Sequence, residues 1–146
     1  MDRFKYKTSV RVRNFEVDWQ GIVHNANYLL YFEIGRIEYL RHVGIPVSME
    51  TIMGHAKIVL ARNEIDYRSP AKFDDLLDVY TRVASINNTS FTFEGIITES
   101  DTQRVISNNI AVHVWLDAQT NLPTRVPDSF RELVMKFEGE SVTIRK

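Results

Sequence analysis

Cysteine is absent from the 146 residues. That removes disulfides, thiolate zinc sites and a cysteine nucleophile together, and it fits a reducing, cytoplasmic setting. Long apolar runs are missing too: nothing approaches the roughly 20 residues of a membrane span. The amino-terminal stretch MDRFKYKTSVRVR lacks the apolar core of a signal peptide. Neither charge sign prevails, since 18 Lys and Arg stand against 19 Asp and Glu for a net charge of -1. No bulk field would draw such a chain to nucleic acid or to an anionic membrane. The phosphate-cradling G-x-x-x-x-G-K, the dinucleotide G-x-G-x-x-G and the G-x-S-x-G elbow do not occur. His24, His42, His55 and His113 have neither H-E-x-x-H spacing nor a nearby carboxylate set, so no metal and no cofactor is expected. The length suits one domain, residues 1–146, with a single core.

What is present is one dominant helix. From Asn25 to Gly44, apolar Ala26, Leu29, Leu30, Ile34, Ile37 and Leu40 recur at helical spacing, and Tyr28, Phe32, Tyr39 and Val43 widen the stripe. Asn25 or Asn27 can cap its start. Gly44 suits a left-handed end, and Pro46 prevents continuation. Gly35 lowers helical propensity by about 1 kcal/mol against alanine, so something should pass close to its backbone. Glu33 with Arg36, and Glu38 with Arg41 or His42, can pair on an uncovered strip. The helix should be central and mostly buried.

Around it the pattern is extended. Strands are expected over Lys5 to Asn14, His55 to Tyr67, Asp75 to Ile86, Thr89 to Thr98 and Arg104 to Leu116. A looser stretch runs from Ile45 to Gly54, and Asn87-Asn88 reads as a hairpin turn through asparagine's tolerance of positive φ. A short helix over Ser129 to Phe137, with Asp128 able to cap it, closes the chain. One strand, a long apolar helix and four consecutive strands predict an α+β fold in which a five-stranded antiparallel sheet wraps a central helix, the hot-dog arrangement. Its open edges invite pairing with another copy, so a homodimer or homotetramer is expected.

Chemistry concentrates in FEVDWQGIVHNANY, where Asp18 is flanked by Phe15, Val17, Trp19, Ile22 and Val23. A poorly solvated carboxylate can act as base or nucleophile. It can equally be a turn-capping aspartate, with Gly21 a turn glycine, His24 and Asn25 helix caps and Tyr28 core.

The pattern R-V-x-x-x-x-V-D-x-x-G-I-V-H-N-A-N-Y from Arg11 to Tyr28 resembles the signature of the 4-hydroxybenzoyl-CoA thioesterase-like hot-dog family. YFEIGRIEYLRHVG along the helix and E-I-D-Y-R-S-P-A-K-F-D-D-L-L-D-V from Glu64 to Val79 continue the likeness. Val17 stands where threonine or cysteine is usual, and Asn25 where histidine or phenylalanine is common. The resemblance implies hydrolysis of an acyl-CoA or other acyl thioester, with Asp18 as the catalytic carboxylate. Donors to the oxyanion would come from a helix N-terminus, in this family often shared across a dimer. It places Gly21, His24, Asn25 and Tyr28 on the substrate side, and Arg62, with Arg68, among cations that could meet CoA phosphates. One rival is an enoyl-thioester hydratase using Asp18 with His24, although the D-x-N-P-x-H spacing is not matched. Another is a non-catalytic acyl-thioester-binding module.

Overall fold

A computed structural model describes residues 2–47 and 56–145. The stretch read as loose falls largely outside these residues, and the strand start at His55 wholly so. In order, the elements are β1 (Lys7–Arg11), a 3-10 turn (Asn14–Glu16), α1 (Asn25–Val43), β2 (Ala56–Tyr67), β3 (Leu76–Ile86), β4 (Ser90–Glu99) and β5 (Val105–Asp117). Then come α2 (Asp128–Glu138), a second 3-10 turn (Gly139–Ser141) and β6 (Thr143–Ile144). One sheet runs β1-β3-β4-β5-β2 with antiparallel neighbours, and β6 lies parallel to β3 beside Ser85 and Ile86. The sheet is thus six-stranded rather than five-stranded. Two residues are too few to leave a period-2 signature, and only the return of the chain after α2 makes β6 visible.

The register shifts once in β2, past Ala61, and once in β3, past Ala84. Each unpaired residue bends its strand and increases the local twist, which helps the sheet curl. α1 lies across the concave face. Gly35 is where it comes closest: a Cβ there would stand 2.7 Å from both Thr81 Oγ1 and Val79 Cγ1. Residues before Gly35 (Tyr28, Tyr31, Phe32) pack with Val10, Val12, Leu77, Val79, Ile97 and Ile106. Residues after it (Tyr39, Val43) pack with Val83, Phe91, Phe93, Trp115 and the apolar face of α2. The tyrosines reach polar anchors: Tyr39 donates to the buried Glu138 carboxylate, whose Oε2 also takes the Val83 N–H at 3.2 Å.

Several expectations need correction. α1 is not covered where predicted: Leu30 is 54 % exposed and Ile34 also faces out, while Arg36, read as part of a solvated strip, is only 8 % exposed. Glu38 does pair with Arg41, but Arg36 turns inward to Asn109 instead of to Glu33. The helix cap is neither Asn25 nor Asn27 but His24. Asn87 and Asn88 do not use positive φ; their turn is closed by Asn87 N–H donating to Ser90 O at 2.7 Å, and Arg131 donates to both of their carbonyls. Asp128 is the first residue of α2 rather than its cap, and its carboxylate receives Arg125. Gly44 ends α1 in the left-handed conformation, as read.

Candidate active site

Local sequence builds a tight turn at Asp18. Val17 and Val23 pair in an antiparallel bridge, and between them D-W-Q-G folds back on itself. Aspartate at the first position and glycine at the fourth are the residues such turns favour. Gly21 N–H donates to Asp18 O at 3.0 Å, and Asp18 N–H to Ile22 O at 2.9 Å. Gly21 has φ +80°, with nothing within 4 Å of a Cβ, so its backbone conformation and not lack of space demands glycine.

Asp18 is half-buried. Its Oδ1 accepts the Gln20 N–H at 2.8 Å. Among the described residues nothing donates to Oδ2, and no cation lies within ion-pair distance. The carboxylate therefore does cap its turn, with one oxygen, which fixes its orientation and leaves the other oxygen available. The apolar flank is only partly built: Val23 is buried, but Phe15 is 79 % and Trp19 90 % exposed.

The start of α1 lies directly after this turn. His24 Nδ1 accepts the Ala26 N–H at 3.2 Å, and His24 O accepts the Asn27 N–H at 2.9 Å. Among the described residues no acceptor takes the N–H of Asn25, the first helical residue. An unsatisfied N–H at the positive end of a helix dipole is suited to a developing anion. Asn25 O receives the Tyr67 hydroxyl at 3.4 Å, so the end of β2 abuts the helix start. Tyr28 is buried, with its ring edge-on to Tyr31 and Tyr67 and its oxygen accepting the Ala71 N–H at 3.0 Å. Burial pushes its phenol pKa up. Its position is that of a core residue tying α1 to the loop before β3.

Arg62 is not brought to this turn within one chain. Five residues of β2 separate it from Tyr67, about 16 Å of extended strand, and its guanidinium pairs with Glu64. Arg68 bonds Asn108 Oδ1 at 3.2 Å. Lys72 is brought next to the turn by folding, its backbone pairing with Ile22 in an isolated bridge.

Glu16 was not foreseen. It is buried, and its Oε1 receives the Arg13 N–H at 2.7 Å and the Tyr31 hydroxyl at 3.0 Å. Its carbonyl takes the His24 N–H at 3.0 Å and the Asn27 side-chain amide at 2.7 Å. Burial and the adjacent Glu16 carboxylate both push the Tyr31 phenol pKa up. Glu16 thereby holds the turn, the helix start and α1 in one arrangement. The only sequence signal was its i,i+3 spacing from Arg13.

The sequence profile of the thioesterase-like superfamily matches residues 12–134. The chain is 28 % identical to the acyl-CoA thioester hydrolase YbgC of Escherichia coli O6:H1 over 130 residues, 88 % of this chain and 95 % of that one. It is also 28 % identical to the chloroplastic acyl-acyl carrier protein thioesterase ATL3 of Arabidopsis thaliana, over 90 % of this chain and 68 % of that one. Among solved structures, a thioesterase of Thermus thermophilus complexed with coenzyme A and Zn superposes with a TM-score of 0.82 at 29 % identity, covering 96 % of this chain and 98 % of that one.

Proposed function

The chain belongs to the thioesterase-like superfamily, and from that premise we propose that it hydrolyses acyl-CoA thioesters at Asp18. The observation that carries this reading is the half-free Asp18 carboxylate in a rigid turn that leads directly into α1, whose Asn25 N–H finds no acceptor among the described residues. A thioester is activated relative to an ester, so a positioned carboxylate and an oxyanion donor suffice. Oδ2 attacks the carbonyl carbon, or takes a proton from the water that does; negative charge develops on the carbonyl oxygen, where Asn25 N–H and the helix dipole stabilise it. Collapse breaks the C–S bond and expels the CoA thiolate, which takes up a proton. On the water route this gives the free acid directly; on the nucleophilic route it leaves an Asp18 acyl anhydride that a water molecule then hydrolyses to the free acid and the regenerated carboxylate. Gly21 sets the turn, His24 orients the helix start, and Lys72, its backbone bridged to Ile22, is the cation proposed to meet a phosphate of the carrier.

The working unit is a homo-oligomer, a dimer or tetramer. Leu30 and Ile34 on α1, with Leu60 and Tyr67 along β2, form apolar surface that a second copy would cover. A monomer by light scattering at micromolar concentration would contradict this.

The test is free-thiol release across a series of acyl-CoA chain lengths. Asp18→Asn should lose roughly 10²–10⁴-fold in turnover with unchanged melting; a wild-type rate would refute the assignment. The hydratase alternative requires His24 as a proton-transfer group, whereas its Nδ1 is held by the helix cap. His24→Ala should retain thiol release within about two orders of magnitude, and wild type should leave the enoyl absorbance of a short enoyl-CoA unchanged.

A further inference from the structure

A second recess lies on the other half of α1. It is a cavity of about 570 Å³ between α1, the inner face of β2, β4 and β5, and α2, within the range of small-molecule sites. Its walls include Leu40, Phe93, Trp115, Phe130 and Leu133, and the side chains of Glu33, Arg36, His113 and Ser129 supply its polar lining.

Arg36 is unlike the other buried arginine. Arg131, 7 % exposed, donates to four backbone carbonyls, those of Val126, Arg145, Asn87 and Asn88. Arg36, equally buried, makes one hydrogen bond, from Nη1 to Asn109 Oδ1 at 3.3 Å. Among the described residues no carboxylate lies within 4 Å of it. Asn109 is held in that orientation by its own amide nitrogen, which donates to Asn63 Oδ1 and to Glu64 O. A guanidinium has five N–H donors; burial lowers the Arg36 pKa and outweighs the attraction of the exposed Glu33 carboxylate, which acts from the cavity rim without pairing with it. His113 stacks on Phe91, and its Nδ1 is buried without a hydrogen-bond partner. Burial and the nearby Arg36 charge lower its pKa to about 4, so it is neutral at pH 7. A buried cation with four of its five N–H donors unused by the described residues, at the edge of an aromatic recess, matches an anionic head on an apolar body.

We propose that this cavity binds an apolar carboxylic acid, its carboxylate on Arg36 and its hydrocarbon among Phe93, Trp115 and Phe130. Two sources share this chemistry. One is a free acid, the product class of the hydrolysis proposed above, and that link alone rests on the earlier reading. The other is the far carboxylate of a dicarboxylic acyl thioester held at Asp18; the 11 helical steps from Asn25 to Arg36 span about 16 Å of helix, which only a long acyl chain would cross.

The experiment is calorimetric titration of the full chain with sodium decanoate, with 1-decanol as the uncharged control. Wild type should bind decanoate. Arg36→Met, which keeps length and apolarity, should weaken decanoate binding about tenfold or more, as loss of a charged hydrogen bond predicts, and leave decanol binding unchanged. Leu133→Trp, filling the chamber, should weaken both ligands and keeps the proposal testable if Arg36→Met does not fold. No saturable decanoate binding by wild type, or equal binding by Arg36→Met or Leu133→Trp, would overturn the proposal. A kcat/KM preference for a long ω-carboxyacyl-CoA over the plain acyl-CoA, lost in Arg36→Met, would assign the tethered source; binding of decanoate without that preference would assign the free acid. Asp18→Asn should bind decanoate like wild type, so a chain that fails to hydrolyse thioesters can still satisfy this test, and the reverse.

Discussion

At its amino-terminal end α1 is positioned by hydrogen bonds, most of them to backbone: a Val17–Val23 bridge, a four-residue turn, the His24 cap and the N–H donors gathered by the Glu16 carbonyl and carboxylate. Beyond Gly35 it is positioned by side chains, with Tyr39, Phe91, Phe93, Trp115 and Phe130 packed against one another and a buried Glu138 beneath. The first end is exposed and leaves single atoms free, Asp18 Oδ2 and Asn25 N–H. The second is packed from side chains and leaves a volume free. Bond formation needs a few atoms held in place, and backbone hydrogen bonds fix them without filling the space a substrate must enter. Recognition of an apolar group needs surface removed from water, which side chains provide.

The comparison breaks if damage at one end does the work expected of the other. After Asp18→Asn, the largest effect should come from Asn25→Pro. Proline is at home at the first helical position, and His24, with ψ 136°, already has the extended conformation that precedes it. The substitution removes the N–H and little else, so turnover should fall roughly 10²–10³-fold with the melting temperature nearly unchanged. A wild-type rate would show that the oxyanion is held elsewhere.

Acid should act on the second end instead. His113 sits at about 4 in the folded chain against 6.5 when free. Between those values the unfolded chain holds a proton that the folded one lacks, so stability falls as pH drops from about 6.5 to about 4. The loss should be on the order of 2–3 kcal/mol, and His113→Phe should flatten that part of a melting-temperature profile. A parallel profile in the variant would show that another group carries the dependence.

Smaller still is Gly35→Ala, at the border of the two halves. Alanine gains about 1 kcal/mol of helix propensity, but its Cβ would lie 2.7 Å from Val79 and Thr81. Overpacking costs roughly 1–3 kcal/mol, so a net loss of stability is expected in denaturant titration, with thiol release per folded molecule intact. A stabilised variant would place the helix farther from the sheet.

Much of this was legible beforehand because it is periodic or local. α1 was read to within a residue, β2 to β5 to within one or two, and the turn at Asp18 followed from an aspartate and a glycine three apart. Glu16 was missed because its partners, Tyr31, Asn27 and His24, are scattered along the chain and meet only after folding. Arg36 was misread because helical spacing fixes which residues share a face, not which face the sheet will cover.

The sequence by itself determined the helix, the strand periods and the turn that fixes Asp18, since each depends on residues within a few positions of one another. Only the tertiary structure decided that β6 joins β3, that Arg36 turns inward beside His113, and that Asn25 is left with a free N–H. Those outcomes depend on which distant backbone atoms and side chains arrive to satisfy a polar group, and burial leaves such groups little choice but to find partners in space.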